Sequence, residues 1–274
     1  MPGSASITRE SAIMAKPVSA GRNFFVLKTA ANGYADFARR HALTYARGVK
    51  NIYNTVDAAI SVCTATRGDK VHVLEGHTED VTSGSIAFDI AGVEVIGYGS
   101  GAMKPDLTFT ATSSKINVTT DNCKMRNFRF TAGVGDVVTA VLHATAADNT
   151  IYEDIEFFAT STFNFINCYT LGAANISDGC TWRRNYLRTA DAGQLALCIT
   201  AASHADLKFY DNYVVHAATA AGLLTGAAAD FLGIDVRGNF VQTGQTDGAV
   251  GVLVITTGTA SSGSVVDNDM KTAD

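Results

Sequence analysis

Short segments in which apolar and polar residues alternate recur along this chain at a nearly constant interval. Four of them read Cys180-Thr-Trp182, Leu207-Lys-Phe209, Ile234-Asp-Val236 and Gly263-Ser-Val265. Each is followed, three residues after its last position, by one of the asparagines Asn185, Asn212, Asn239 and Asn268, which are 27, 27 and 29 residues apart. Alternation with a period of two predicts strands. A repeat of this length predicts stacked units that bury their apolar faces against each other.

A second set of apolar segments precedes the first within each unit, at residues 86–90, 116–118, 163–165, 197–199 and 252–254. Two or three short strands per turn, without helical crossovers, predict an all-β fold: a single-stranded right-handed parallel β-helix. Equivalent positions of successive turns then stack at about 4.7–4.9 Å. We therefore predict a structural ladder in which amides bond from turn to turn, formed by Asp154, Asn185, Asn212, Asn239 and Asn268.

The start of the β-helix, residues 51–274, is predicted to carry a capping helix within residues 51–66. Asn54 or Thr55 is a suitable N-cap, and apolar residues from Val56 to Cys63 share one face. The first strand is predicted to begin at Lys70, with the helix covering its unpaired edge. At the other end the sequence stops just after a strand. We expect that open edge to be covered by a partner chain, a symmetry mate or a downstream segment.

Charge divides the chain into a basic N-terminal arm, residues 1–50, and an acidic body. The arm has eight Lys or Arg against two acids, a balance of +6. Because the whole chain has 21 basic and 26 acidic residues, residues 51–274 carry 13 and 24, a balance of −11. The first twenty residues show no apolar periodicity and are expected to be extended. The arm is either a solvated tail or a segment that docks on an acidic surface through Arg9, Lys16, Arg22, Lys28, Arg39 and Arg40.

Composition favours one elongated domain, since the chain is 47% hydrophobic and 17% charged, with 25 Gly and 3 Pro. No stretch is apolar enough to span a bilayer and no secretory signal is evident, so we expect no membrane partner. Nucleic acid is not expected either, because the basic residues are dispersed in an acidic chain. The five cysteines include no C-x-x-C pair and are predicted to be buried free thiols.

Glycoside hydrolysis requires two carboxylates at a defined spacing, and two sets of acids are candidates for such a pair. The two sets are Glu153, Asp154 and Glu156, and Asp206, Asp211 and Asp235. The second set shares no column, and Glu153, Arg184 and Asp211 alternate in sign from turn to turn, which favours a salt-bridge ladder. Trp182 is predicted to be core, although Arg183, Arg184, Tyr186 and Arg188 surround it with groups that suit a sugar or a partner. The six histidines show no metal-ligand spacing. We predict no catalytic, cofactor-binding or metal-binding residues.

Several segments resemble the pectate-lyase-like β-helix superfamily: residues 55–60, 68–79 and 91–99, the last reading Ala-Gly-Val-Glu-Val-Ile-Gly-Tyr-Gly. Together with residues 105–109 and 121–130 they are similar to β-helix proteins encoded among the virion genes of tailed bacteriophages. The similarity covers about residues 50–270. Polygalacturonase-type motifs such as Asn-Thr-Asp and Gly-His-Gly are absent, and His77 lies in Gly-His-Thr instead.

The resemblance implies a non-enzymatic phage structural protein, a trimeric capsid decoration, cement, head spike or fibre without a cofactor. Its partners would be two further copies and the major capsid protein or another virion protein, and it would be located in virions assembled in the host cytoplasm. Two other classes remain as alternatives. A tailspike-like polysaccharide depolymerase requires paired carboxylates in a groove, and a carbohydrate-binding adhesin requires exposed aromatic side chains.

Overall fold

The chain folds into a parallel β-solenoid of about seven turns. The computed structural model describes residues 21–28, 51–160, 162–188, 196–216, 222–227, 230–243, 253–256 and 261–272. Strands are numbered β1 to β27 in chain order, and within these residues they form three long sheets and one short one. All strand pairs that define the sheets are parallel, which confirms the predicted β-helix architecture.

Sheet A has ten strands, stacked in the order Ile52–Tyr53 (β2), Asn23–Val26 (β1), Lys70–Val73 (β3), Glu94–Gly97 (β6), Lys124–Arg126 (β9), Ile151–Glu153 (β12), Thr181–Arg183 (β15), Lys208–Tyr210 (β19), Ile234–Arg237 (β23) and Gly263–Val266 (β26). Sheet B has eight, stacked as Thr78–Val81 (β4), Asp106–Phe109 (β7), Arg129–Ala132 (β10), Glu156–Phe158 (β13), Tyr186–Arg188 (β16), Tyr213–His216 (β20), Phe240–Thr243 (β24) and Asp269–Thr272 (β27).

Sheet C has seven strands, stacked as Ser83–Phe88 (β5), Lys115–Val118 (β8), Asp136–His143 (β11), Asn164–Leu171 (β14), Ala196–Thr200 (β17), Leu224–Ala227 (β21) and Leu253–Thr256 (β25). A short sheet pairs His204–Ala205 (β18) with Phe231–Leu232 (β22). One helix, α1, spans Val56–Ile60, and a 3-10 turn spans Gly101–Met103.

The core is a set of inward columns that run along the solenoid. In sheet A, Tyr152, Trp182 and Phe209 follow one another from strand to strand and are almost completely buried. The rings of Trp182 and Phe209 stack with centroids 4.8 Å apart and planes 9° apart. The prediction that Trp182 belongs to the core is therefore confirmed. Stacked apolar side chains exclude water along the whole axis, and each turn depends on its neighbours for that burial.

Each turn runs through sheets A, B and C in that order, and four strands of sheet B begin directly after an asparagine of the ladder. Tyr186, Tyr213 and Phe240 each follow an asparagine of the ladder and open strands β16, β20 and β24. The chain therefore turns from sheet A to sheet B at the asparagine, which is a corner and not the end of a turn. Each of the five segments predicted between residues 86 and 254 overlaps a described strand of sheet C.

The N-terminal boundary differs from the prediction. Strand β1 pairs with β3, and β2 pairs with β1, so β3 is not the first strand of sheet A. Phe24 and Val26 point inward and are buried, which makes β1 part of the solenoid although it lies within the predicted arm of residues 1–50. The prediction missed β1 because its four residues are far in sequence from their partner strand β3 and do not belong to the periodic repeat. The first twenty residues of the arm lie outside the described residues.

Helix α1 is shorter than the predicted span of residues 51–66, since Ile52 and Tyr53 form a strand. Its N-cap is Thr55, whose Oγ1 accepts a hydrogen bond from the Ala58 backbone N–H at 3.3 Å. Val56, Ala59 and Ile60 are buried against β1, β2, β3 and β5. That α1 caps the solenoid stays a prediction.

Candidate functional site: the ladders and outer faces of the solenoid

The asparagines form a continuous hydrogen-bonded ladder at the corner between sheets A and B. The Nδ2 of Asn185 donates to Oδ1 of Asn212 at 3.0 Å, and Asn212 donates in the same way to Asn239 at 2.9 Å. Asn239 continues the ladder to Asn268 at 2.8 Å. Three of the four side chains are 1% exposed, so these bonds replace those that water would otherwise make.

The same amides also hold the backbone of adjacent turns. Oδ1 of Asn212 accepts a second bond, from the backbone N–H of Asn185 at 3.0 Å, and its Nδ2 also donates to the Trp182 carbonyl at 3.0 Å. Oδ1 of Asn239 accepts the N–H of Asn212 at 2.9 Å in the same manner. Asparagine suits this position because one amide supplies two donors and two acceptor sites. The ladder is therefore a structural device of the corner.

Asp154 does not belong to this ladder, contrary to the prediction. The strand registers align Glu153 with Arg183, so Asp154 lies beside Arg184 and Ile155 occupies the asparagine position. The backbone N–H of Ile155 donates to Asn185 Oδ1 at 3.1 Å, and the ladder ends there. Asp154 precedes Asn185 by 31 residues, close to the other intervals. Turn length varies between units, however, so the interval does not fix the register, and the prediction was wrong.

Asp154 instead shares a column of residues with positive φ. Asp154, Arg184, Asp211 and Gly238 have φ of 58°, 52°, 53° and 65° at successive corners. Left-handed backbone favours Gly, Asn and Asp, so Arg184 bears a cost of about 1 kcal/mol. Its guanidinium Nε donates to Asp154 Oδ1 at 2.9 Å, and Nη2 contacts Glu153. These ion pairs offset the cost, and they raise the pKa of Arg184.

Two glutamates organise the charges on the outer face of sheet A. Glu153 pairs with Arg183 at 2.6 Å, with Lys124 at 3.4 Å and with Arg184. Burial alone would raise the pKa of Glu153, but the hydrogen bond from Arg183 and the nearby cations lower it below its ordinary value. Glu94 lies two strands before Glu153 in sheet A and makes equivalent contacts, with Lys70 at 2.9 Å and with Lys124 and Arg126. A charge ladder thus links five turns. It contains Glu153 and Arg184 of the predicted ladder, whereas Asp211 lies in the column of residues with positive φ.

The remaining candidate acids are also held in structural contacts or lie apart. Glu156 pairs with Arg129 at 3.2 Å on sheet B. Asp235 accepts the Tyr210 hydroxyl at 2.9 Å and Arg237 Nε at 2.6 Å on sheet A. Asp206 lies at the corner between sheets C and A, away from Asp211. The two sets of carboxylates therefore do not converge on one groove.

A second ladder, of aspartates, runs along the corner between sheets C and A. Oδ1 of Asp121 accepts the N–H of Asp148 at 2.9 Å, and Oδ1 of Asp148 accepts the N–H of Asp178 at 2.8 Å. Oδ1 of Asp178 accepts the N–H of Ala205 at 2.7 Å. Burial first, and then the charges of Asp121 and Asp178, raise the pKa of Asp148. Sequence reasoning missed this ladder, although spacings of 27 and 30 residues were a visible signal.

The interior holds titratable groups that are closed off from solvent. His143 Nδ1 lies 2.7 Å from Ser177 Oγ, and its Nε2 lies 2.7 Å from the Tyr152 hydroxyl. Burial lowers the pKa of His143 to about 3, so the imidazole is neutral at physiological pH. All five cysteines are buried and free, as predicted. Burial raises the pKa of Cys123 to about 11, which keeps this thiol protonated and unreactive.

Two of the predicted docking residues, Arg22 and Lys28, lie within the described residues. The backbone N–H of Arg22 donates to Oδ1 of the buried Asp69 at 2.7 Å. Lys28 Nζ donates to Thr78 Oγ1 at 3.1 Å. The structure therefore places both against the solenoid. Arg9, Lys16, Arg39 and Arg40 lie outside the described residues.

The outer face of sheet B carries a stack of aromatic rings. Tyr186 and Tyr213 stack with centroids 5.0 Å apart, and Tyr213 and Phe240 stack at 4.7 Å. Arg129 lies over the ring of Phe158, 5.6 Å from its centroid. Tyr213 lies between the other two rings, so both of its faces are covered. A sugar that stacks on an aromatic face would find few free faces in this stack.

A shallow cavity of about 240 Å³ lies beside strands β8 and β11 of sheet C, lined by Thr112, Ser113, Ser114, Lys115, Val138, Thr139 and Leu142. In the part of the chain that the structure describes, no three His, Cys, Asp or Glu side chains could together hold a metal ion. Among the same residues, no helix is long and apolar enough to cross a membrane. Comparison of the chain with protein-family models, with curated proteins and with solved structures finds no match.

Proposed function

We propose that this protein is a non-enzymatic structural component of a tailed-phage virion: a trimeric right-handed β-helix of the pectate-lyase-like type that decorates or cements the capsid, or forms a head spike or fibre. One observation carries the scaffold part of this proposal. The carboxylates that could perform chemistry, Glu153, Asp154 and Glu156, are each held by an arginine in contacts between turns. Such contacts stiffen a rod and do not present a reacting group to a substrate.

Attachment through the N-terminal arm follows from the charge distribution. Residues 1–50 carry a charge balance of +6 and the rest of the chain −11. An acidic surface would therefore attract the arm and repel the body. The partner proposed is the major capsid protein or another virion protein, with the chain located in virions assembled in the host cytoplasm. A specific contact of this kind buries about 1,200–2,000 Å².

Deletion of residues 1–20 tests the docking role. We expect the truncated protein to keep its circular dichroism spectrum and to be lost from purified particles. Arg9→Glu with Lys16→Glu should weaken attachment in the same direction, and Arg9→Lys with Lys16→Arg, which keeps both charges, should not. Retention of the truncated protein on particles would contradict the docking role, and absence of the full-length protein from particles would contradict the virion assignment.

A carbohydrate-binding adhesin is the alternative that a specific observation favours. Phe158, Tyr186 and Tyr213 are exposed on the outer face of sheet B, and exposed aromatic side chains are a common element of sugar sites. A glycan array decides between the two functions. Binding that disappears in Tyr186→Ala and Phe158→Ala would favour the adhesin.

A polysaccharide depolymerase is tested by its activity. Cleavage of a host polysaccharide that is abolished when Glu153, Asp154 and Asp211 are replaced together by their amides would establish the enzyme instead.

A further inference from the structure

The outer face of sheet C differs from the other two faces in lacking charge. Its main outward row is Ala87, Asn117, Leu142, Thr170, Ile199 and Thr225, aligned from strand to strand. A second, more deeply buried row contains Thr139, Asn167 and Ala196, of which Ala196 is fully buried. Among the described residues, no Asp, Glu, Lys or Arg belongs to either row, and Lys115 and Asp136 lie only at strand starts. We name these two rows, with Val138 beside them, the neutral face.

The neutral face pairs its outward polar groups within the chain only in part. Thr139 Oγ1 and Thr170 Oγ1 lie 3.1 Å apart, and Asn167 Nδ2 donates to the Val138 carbonyl at 3.1 Å. Oδ1 of Asn117, Oδ1 of Asn167 and Oγ1 of Thr225 are buried and have no hydrogen-bond partner among the described residues. Val138 is 51% exposed beside them. Depletion of charge with exposed apolar and unpaired polar groups is typical of a protein interface.

We propose that the neutral face is the surface through which copies of this chain associate, with sheet C directed toward the symmetry axis of the homo-oligomer. The inference rests on the proposed function, and it specifies which face the copies share. A second copy is the occupant that suits an uncharged face, because a partner of opposite charge would bind where this acidic chain, of net charge −5, carries its charges. Identical acidic chains repel each other, and like charges brought together at an interface are costly, so copies meet best where neither carries charge.

The available area is sufficient. Six described turns at about 4.8 Å give a length of roughly 29 Å, and strands of about six residues give a width of roughly 20 Å. Each copy therefore offers roughly 600 Å². Two such surfaces bury roughly 1,200 Å², the lower limit for a specific interface.

The experiment uses the purified full-length chain. Ile199→Arg puts a cation at the centre of the neutral face, and it makes the net charge less negative, so it cannot act through greater overall repulsion. Val215→Arg is the matched control, because Val215 is also half-buried and outward but lies on sheet B. We expect sedimentation equilibrium to show an oligomer for the wild type and for Val215→Arg. Ile199→Arg should raise the dissociation constant at least roughly tenfold, with an unchanged circular dichroism spectrum.

Cross-linking decides the question even if Ile199→Arg fails to fold. The five native cysteines are buried, so a bismaleimide reacts at an introduced thiol. Val138→Cys should cross-link copies to each other, and Val62→Cys, at a residue 41% exposed beyond α1, should not. A monomeric wild type, or an oligomer in which Val138→Cys does not cross-link, would overturn the proposal. Presence on particles is measured separately, so failure of this interface and failure of the virion assignment are distinguishable.

Discussion

At the residue scale, the asparagine amide does more than link one turn to the next. Asn212 accepts from the N–H and the side chain of Asn185 and donates to the Trp182 carbonyl and to Asn239. Each buried group left without its partner costs about 1–3 kcal/mol. The recurrence of asparagine in the sequence was sufficient to predict the bonds between side chains, since they follow from stacking alone, but it did not predict the bonds to the backbone. The exclusion of Asp154 was not predictable, because it depends on one residue of register.

Replacing Asn212 with leucine tests the ladder. The two side chains have similar size, but leucine cannot accept from the Asn185 N–H and cannot donate to the Trp182 carbonyl. We expect the free energy of unfolding to fall by about 2–4 kcal/mol, measured by urea denaturation. Asn268→Leu is the control, because Asn268 lies at the exposed end and its loss should cost about 1 kcal/mol or less. Equal losses in both variants would contradict a buried ladder.

The asparagine ladder is neutral, whereas the ionised side chains of the aspartate ladder repel each other. The pKa of Asp148 is raised in the folded state, so its ionisation costs stability as pH rises from the unfolded value of 3.8 through the folded value. Asp148→Asn keeps the oxygen that accepts the Asp178 N–H and removes the charge. We expect a higher Tm than the wild type at pH 7 and no difference below pH 3.8. Asp80→Asn, at an exposed residue, should change neither, and a lower Tm for Asp148→Asn at pH 7 would contradict this account.

At the element scale, the corners set the shape of each turn. Gly97 ends β6 where the backbone of the next corner approaches it, and Asn127 Nδ2 donates to the Gly97 carbonyl at 2.9 Å. A Cβ at residue 97 would overlap the carbonyl oxygen of Asn127. The sequence indicated that glycine punctuates the turns, but only the structure distinguishes this close approach from glycines chosen for their φ.

Gly97→Ala should therefore destabilise the protein strongly. We expect a loss of more than about 3 kcal/mol in thermal unfolding, because the clash is with backbone and cannot be relieved by a side-chain rotation. Gly68→Ala is the control: Gly68 has φ of 78° and open space around its Cα. That variant should lose only about 1 kcal/mol. Similar losses of stability in the two variants would show that a side chain at residue 97 does not clash with the Asn127 carbonyl.

At the scale of the whole molecule, the two described ends of the solenoid differ. At one end, α1, β1 and β2 pack on the first turns and bury their apolar side chains. At the other, Val265 and Met270 occupy inward columns but are 51% and 48% exposed, since no described residue lies beyond them. Exposed inward side chains and unpaired strand edges favour association. We retain the prediction that this surface is covered in the assembled protein.

Amide hydrogen exchange tests that prediction. Residues 262–270 should exchange more slowly in assembled particles than in the isolated chain, because a covering strand would pair their free N–H groups. Residues 151–153, inside sheet A, serve as the internal control and should exchange equally slowly in both. Equal exchange of residues 262–270 in the two states would show that the last turn stays uncovered.

The sequence by itself determined the parallel β-solenoid, the burial of Trp182 and the asparagine ladder, because stacked turns need one residue type at one position and repetition makes that need visible. Only the tertiary structure decided the place of Asp154, the addition of β1 to sheet A and the partners of Glu153. Those depend on turn lengths that vary by a few residues and on contacts between residues far apart in sequence. The neutral face also became visible only when register aligned Leu142, Thr170 and Ile199, since the absence of charge is a property of a surface and not of any one segment.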